Sequence, residues 1–297
     1  RRDRRTRPLN RVKGSLHYDY TAVGHVTIDV LEDGTRRPGG TALYSALQAA
    51  RLGLRALILT QGAPAEIEAL LAPFGAELDL RVVAAPETTT LRSSGTGAER
   101  RQRLEAWAGA MPDGLELDTA ILHLAPIARE TPRRWLGEPR LLGMTPQGLA
   151  RAWASQGAAV ELGPPVGEAE ELARACNALV LSEHERASCA VMIAATRAAG
   201  GVVAVTNGPA PTTVLLGAGR SISLEVPAVV EPLDDLGAGD VYAAAFFIAL
   251  SDGRQPEDAA RFAMAAAAVR MLGAGPQAIG DHTAIAARLA AVGAPAA

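Results

Sequence analysis

Lysine occurs once in the 297-residue chain, at Lys13; cysteine occurs twice, at Cys176 and Cys189, and aromatic residues make up only 4%. Each shortage excludes something. Two cysteines in helix-like segments read as buried thiols, not a disulfide framework, which fits a reducing cytoplasm. No His/Cys/Asp spacing follows a zinc pattern. No Gly-x-x-x-x-Gly-Lys-Ser/Thr loop occurs, and Ser155 and Ser182 lack the turn of an activated nucleophile. No uncharged apolar run approaches about 20 residues, so neither a membrane span nor a secretory leader is expected. With few aromatics, the core must rest on Ala, Leu and Val.

Positive charge is also scarce outside one place. Residues 1–11 hold six Arg and one Asp, a local +5 against −3 for the whole chain, so the remainder carries −8. That excludes a broad basic surface tracking a nucleic acid. Residues 1–19 read as a basic, disordered tail. The apolar fraction of 48% and charged fraction of 21% are those of a soluble globular protein, and residues 20–297 suit one large domain.

What is present is a turn with chemistry in it. In Pro232-Leu-Asp-Asp-Leu-Gly-Ala-Gly-Asp240, a Gly-Ala-Gly turn meets a carboxylate and then an apolar helical run. A helix start offers backbone N–H groups without intrahelical partners and the positive end of the helix dipole. Glycines let the backbone approach a ligand closely. A carboxylate beside such an anion site is what phosphoryl transfer to an alcohol needs. An Asp in a first helical turn is otherwise only a dipole partner, so the rest of the chain has to decide.

Strand-like and Ala-rich helical runs alternate, which predicts a mostly parallel sheet covered on both faces. Strands are expected at Tyr20–Val30, Ala56–Thr60, Leu80–Ala84, Ala120–Leu124, Leu141–Met144, Ala158–Glu161, Ala178–Leu181 and Val202–Thr206, then a two-strand excursion at Thr213–Leu216 and Ser221–Val226. Helices are expected at Thr41–Leu52, Ala65–Phe74 (capped by Gly75), Val241–Leu250, Pro256–Leu272 and Ala284–Ala291. Thr88–Trp107 reads as an exposed hairpin. Ligands of open α/β sheets sit beyond the carboxyl ends of the strands. Asp29, the Gly39-Gly40 turn, Ser182–Glu185 and Thr206–Gly208 all fall at such ends in this pattern. His25 and His123 do too, although satisfied structural histidines are commoner.

In that order, these segments together with Asp234–Asp240 resemble the ribokinase-like (PfkB) family of carbohydrate and nucleoside kinases over residues 20 to 285. The Asp-x-x-Gly-Ala-Gly-Asp element is the most specific match, followed by the Gly-Gly helix start with Ala50-Arg51-Leu52-Gly53. The resemblance implies a three-layer α/β/α domain with a mostly parallel central sheet and a reduced β lid near residues 31–38 and 88–104. It implies Asp240 as the base for the acceptor hydroxyl and Gly237, Ala238 and Gly239 as the anion hole for the transferring phosphoryl group. Asp29, Gly39, Gly40 and Tyr44 match acceptor-binding positions, and Thr206 and Gly208 a loop near the nucleotide phosphates. Glu185 matches an acid that organises Mg²⁺ through water, and Asp234 an acid that in some members helps hold a monovalent cation such as K⁺. ATP is the implied co-substrate, a small polyol (sugar, cyclitol or nucleoside) the acceptor, and the expected state a cytoplasmic monomer or homodimer.

Four positions depart from the family pattern. Tyr44 stands where most members have Asn; an aromatic there is similar to the inositol kinase-like branch, and the ring either shapes the acceptor pocket or packs its helix against the sheet. Ser182 replaces the Asn of Asn-x-x-Glu, Asp235 stands where Thr or Pro is usual, and Pro211 stands where a nucleotide-loop glycine is usual. Arg92, Arg100, Arg101 and Arg103 are the lid cations that can reach an anionic acceptor. The alternative to a kinase is a ligand-binding or regulatory protein on the same fold; another phosphate donor is a third possibility.

Overall fold

A sheet of nine strands runs through the molecule in the order Ser221–Leu224, Ala210–Leu215, Val202–Asn207, Ala178–Ser182, Leu141–Met144, Thr119–Leu124, Tyr18–Val23, Ala56–Gly62 and Asp79–Ala84. The computed structural model describes residues 17–95, 99–217, 219–229 and 232–293. The first two strands of that order pair antiparallel and the rest parallel. The parallel part reads as Ala, Leu, Ile and Val on both faces because helices cover both. One core joins the sheet to the helices Thr41–Arg51, Ala238–Ser251 and Pro256–Met271, and a second joins its other face to Ala169–Ala175 and Ala190–Ala198. The expected three-layer α/β/α arrangement is present.

The helix Ala238–Ser251 explains why so few aromatics suffice. Val241 to Ala249 are all buried, and Phe246 and Phe247 fill the space that the surrounding alanines leave. A helix apolar on all sides belongs in the interior, so the segment opening with Gly-Ala-Gly-Asp is held from every direction. Cys176 and Cys189 are buried free thiols whose pKa values burial raises to about 12, as the sequence led us to expect.

Several expectations are corrected. The strand expected over Tyr20–Val30 is two: Tyr18–Val23 enters the main sheet, and Thr27–Val30 leaves it. The chain turns off at Gly24–Val26 because His25 N–H donates to Glu130 and Val26 N–H to Thr60. Thr27–Val30 instead joins a four-stranded lid sheet with Arg36–Gly39, Thr90–Ser94 and Arg101–Ala106. The lid is therefore one sheet, and Asp29 stands on it and not at the end of the first strand. The Thr90–Ala106 hairpin is only partly exposed, since Leu91 and Leu104 form a small core with Ile127 and Ala128. Its turn at 96–98 lies outside the described residues.

Ala158–Glu161 does not enter the main sheet; Glu161–Leu162 pairs antiparallel with Arg151–Ala152. Gly75 does cap this segment, in a right-handed conformation at φ −63° after the 3₁₀ turn Ala72–Phe74. Of the tail expected over 1–19, residues 1–16 lie outside the described residues, while Tyr18 and Asp19 are already in the first strand. No helix among the described residues is long and apolar enough to cross a membrane.

Candidate active site

Gly237 opens the helix that carries Asp240, at φ +83°, a left-handed conformation that costs other residues about 1–2 kcal/mol. Ala238 N–H is used inside the turn, donating to Asp235 O at 3.1 Å. Gly239 is exposed, and a Cβ there would have no atom within 4 Å. Of the three residues expected to form the anion hole, Gly239 thus faces open space while Ala238 spends its N–H on the turn.

Asp240 sits half-buried at this helix start. Its pKa is pushed up to about 6, first by burial and then by the charges of Glu185 and Asp29, against the pull of Thr41 and Arg151. Gln147 Nε2 is 2.7 Å from Thr41 Oγ1 and 3.5 Å from Asp240 Oδ1. Thr41 begins the helix that follows Gly40, whose φ of +93° and contact with His25 O leave no room for a side chain.

Arg151 ties the carboxylates together. Its guanidinium donates to Ile127 O, Gln102 and Gln147, and it feels Glu185, Asp240, Glu130 and Asp29. Burial works against its charge and lowers its pKa. Asp29 reaches the same region from the lid. It accepts a hydrogen bond from Thr27 Oγ1 at 2.7 Å, and Gly39 lies so close that a Cβ there would fall 2.0 Å from Oδ2. Burial raises the Asp29 pKa, while Thr27, Arg37, Arg151 and Arg100 oppose that rise.

Asp234 is surrounded by donors. Arg37 lies 2.9 Å and Arg270 3.0 Å from its carboxylate, and Leu236 N–H and Gly275 N–H both donate to it at 3.0 Å. Burial disfavours the charge, yet these donors hold the carboxyl well below the usual range. Arg100, from the lid, pairs with the neighbouring Asp235. Arg92 pairs with Glu105, Arg103 reaches Gly157 O, and Arg101 is exposed, so Arg100 alone of the four lid arginines is tied to the Asp234–Asp240 turn.

Glu185 and Ser182 form a reciprocal cap: Ser182 N–H donates to Glu185 Oε2 at 2.8 Å, and the Ser182 side chain accepts from the Glu185 backbone. A serine in place of Asn therefore keeps this turn formed. Thr206 pairs in parallel register with Ser182 at the carboxyl ends of adjacent strands. Gly208 sits with Pro209 in the tight turn closing the next hairpin. Pro211 lies inside the strand that follows.

Tyr44 settles into packing. It is 1% exposed, its ring lies against Gly237 and under the Arg270 guanidinium at 5.2 Å, and its hydroxyl is buried without a partner. His123 is a satisfied core histidine, with the Tyr20 hydroxyl at 2.7 Å and the Thr145 hydroxyl at 3.0 Å. His25 is also buried, bound to Thr89 through Nδ1. Sequence reasoning missed Gln147, Arg151, Glu130 and Arg270. The first two follow a strand end in Thr145-Pro146-Gln147-Gly148, and Arg270 interrupts an alanine run, which were the available signals.

Among the described residues no group of three or more His, Cys, Asp or Glu side chains is arranged to hold a metal. Mg²⁺ is commonly held by one or two carboxylates plus phosphates and water, and Glu185, with one oxygen in the cap, fits that mode. An open groove of about 670 Å³ around His17, Asp19, Asp118 and Arg140 lies at the opposite ends of the strands and contains none of these groups.

The model of the pfkB family carbohydrate kinases matches residues 164–283, which include Glu185, Thr206, Gly208 and Asp234–Asp240. No curated protein matches the chain. Among solved structures, a nucleoside kinase of the ribokinase family from Methanocaldococcus jannaschii superposes at TM-score 0.71 with 18% identity, covering 94% of this chain and 100% of that one. A ribokinase of Arabidopsis thaliana complexed with ribose and ATP gives 0.68 with 17% identity, covering 92% and 99%. A pyrophosphate-dependent myo-inositol-1 kinase gives 0.70 with 17% identity, covering 90% and 98%. The chain thus has the ribokinase fold, and its segment 164–283, with the Gly-Ala-Gly-Asp turn inside it, matches the model of the pfkB family carbohydrate kinases.

Proposed function

We propose that this protein transfers the γ-phosphoryl group of ATP to a hydroxyl of a small polyol held between the lid and the Asp240 helix. The observation that carries the reading is Asp240 itself, a carboxylate with its pKa near 6 at the start of a buried helix, one residue from the exposed Gly239. Asp240 accepts the proton of the acceptor hydroxyl. The acceptor oxygen bonds to the γ-phosphorus, the bond to the β-phosphate oxygen breaks, and ADP leaves. The Gly237–Gly239 turn and the helix end steady the charge in transit. Gln147 and Thr41 orient Asp240, and Arg151 keeps the neighbouring carboxylates from repelling one another.

Asp29, with Gly39 and Gly40 behind it, is positioned to take acceptor hydroxyls, because a buried carboxylate is an acceptor in search of donors. Glu185 would hold Mg²⁺ through water, and that ion would neutralise phosphate charge. Thr206 lies at the strand end beside Ser182, where nucleotide phosphates would approach. A second reading takes pyrophosphate as the donor: Arg37, Arg100 and Arg151 gather near the site, and a similar structure is of a pyrophosphate-dependent kinase.

ADP or phosphate release is measured with ATP·Mg²⁺ or pyrophosphate·Mg²⁺ against a panel of sugars, cyclitols and nucleosides, beside Asp240→Asn. Acceptor-dependent release lost in the variant supports the kinase. Saturable ligand binding without release in any combination supports a binding protein instead.

A further inference from the structure

Arg270 belongs to the helix Pro256–Met271, and its side chain is wholly buried. Its guanidinium meets four oxygens from two stretches of chain, 234–236 and Gly273. Nη2 lies 2.6 Å from Leu236 O and 3.0 Å from Asp234 Oδ2, and Nη1 lies 2.9 Å from Gly273 O and 3.4 Å from Asp234 O. Three backbone carbonyls and one carboxylate gathered round one guanidinium make an oxygen cage suited to a positive charge. Here a guanidinium fills it.

We propose that Arg270 is a tethered replacement for the monovalent cation that the family resemblance placed beside Asp234. The oxygens a K⁺ ion would use already accept from Arg270, and Arg37 stands on the other side of the same carboxylate. Two guanidinium groups on one carboxylate leave a net positive charge there, which repels a further cation. A buried charge must be paired to be tolerated, and a guanidinium, charged at all working pH values and forked, meets several oxygens at once. Because Leu236 O and Asp234 O lie immediately before Gly237, Arg270 holds the turn from which the anion hole is built. It is a positioning residue: the positive charge that elsewhere needs an ion is here part of the chain.

The inference rests on the kinase reading only in its turnover arm. Thermal unfolding of the wild-type chain is compared in KCl and in tetramethylammonium chloride at matched ionic strength. Turnover is compared in the same two salts. The expected result is no K⁺-specific rise in Tm and rates within about twofold of each other, since an ion that does not bind the native state cannot stabilise it. A Tm several degrees higher in K⁺, or a rate several-fold higher, overturns the proposal. Arg270→Met keeps an apolar stem and opens the cage; it should unfold earlier and regain Tm in K⁺ but not in tetramethylammonium, a cation-specific response that loss of packing alone does not give. Absence of that response also counts against the proposal. Should Arg270→Met not fold, Arg270→Lys supplies the second variant; a tethered ammonium should leave Tm indifferent to K⁺, and a K⁺-dependent Tm there overturns the idea. If no acceptor gives turnover at all, the kinase reading fails separately and the Tm arms still decide the role of Arg270.

Discussion

The backbone of Gly237 packs against the ring of Tyr44, so closely that a Cβ on Gly237 would fall 2.3 Å from Tyr44 Cδ1. The proposed anion turn therefore rests on an aromatic floor that belongs to the helix after the Gly-Gly turn. Gly237→Ala meets both that contact and the positive φ, and it should lower Tm by several degrees and cut turnover about 100-fold. Gly239→Ala is the control, because its Cβ points into open space. It should unfold like wild type yet lose turnover, as its methyl group enters the volume assigned to phosphate. Differential scanning fluorimetry beside steady-state rates separates the two effects; an active Gly239→Ala would place the phosphate elsewhere.

Tyr44 offers a way to separate packing from acceptor binding. Its hydroxyl is buried without a partner, and an unsatisfied buried polar group costs about 1–3 kcal/mol. Tyr44→Phe should raise Tm and leave the acceptor KM unchanged. A KM raised about tenfold, the expected cost of one lost hydrogen bond to substrate, would show that the phenol reaches the acceptor.

Asp240 predicts the pH profile. A base must be deprotonated to work, and its pKa near 6 means that kcat/KM should fall tenfold per pH unit below about 6 and level off above it. Linkage has the opposite sign for stability. A carboxyl whose folded pKa is raised contributes stability below its unfolded pKa, near 4, and loses that contribution as pH rises through about 6. Asp240→Asn should therefore be inactive and, at pH 8, at least as stable as wild type. Retained turnover would remove the base assignment, and a large drop in Tm would mean that Asp240 is structural.

Asp234 titrates the other way. Its folded pKa is depressed, so its ion pairs contribute stability above the unfolded value near 4, and that stability is lost as pH falls below it. Arg37→Ala removes the lid partner while Arg270 remains. The variant should melt a few degrees below wild type at pH 7, and the gap should persist on acidification until native Asp234 itself protonates, narrowing only below about pH 3. A gap independent of pH would assign the effect to packing of the Arg37 stem and not to the charge pair.

What the sequence by itself determined was local. The alternation of strands with helices, the two antiparallel strands at the edge, the burial of the cysteines and the Gly-Ala-Gly-Asp turn follow from periodicity and from glycine placed before a helix, although one expected strand proved to be two and another lies outside the main sheet. Each of those signals sits within a dozen residues. The tertiary structure decided the partnerships that span the chain: Asp29 moved onto the lid, Arg151 placed among four carboxylates, Tyr44 slid beneath Gly237, and Arg270 closed on Asp234 from 36 residues away. No local pattern encodes them, because a charge on an alanine-rich helix looks the same whether it faces water or a cage of carbonyls. Only when the helix packs against the sheet does desolvation require that charge to find its oxygens, and so turn a sequence irregularity into a structural element of the site.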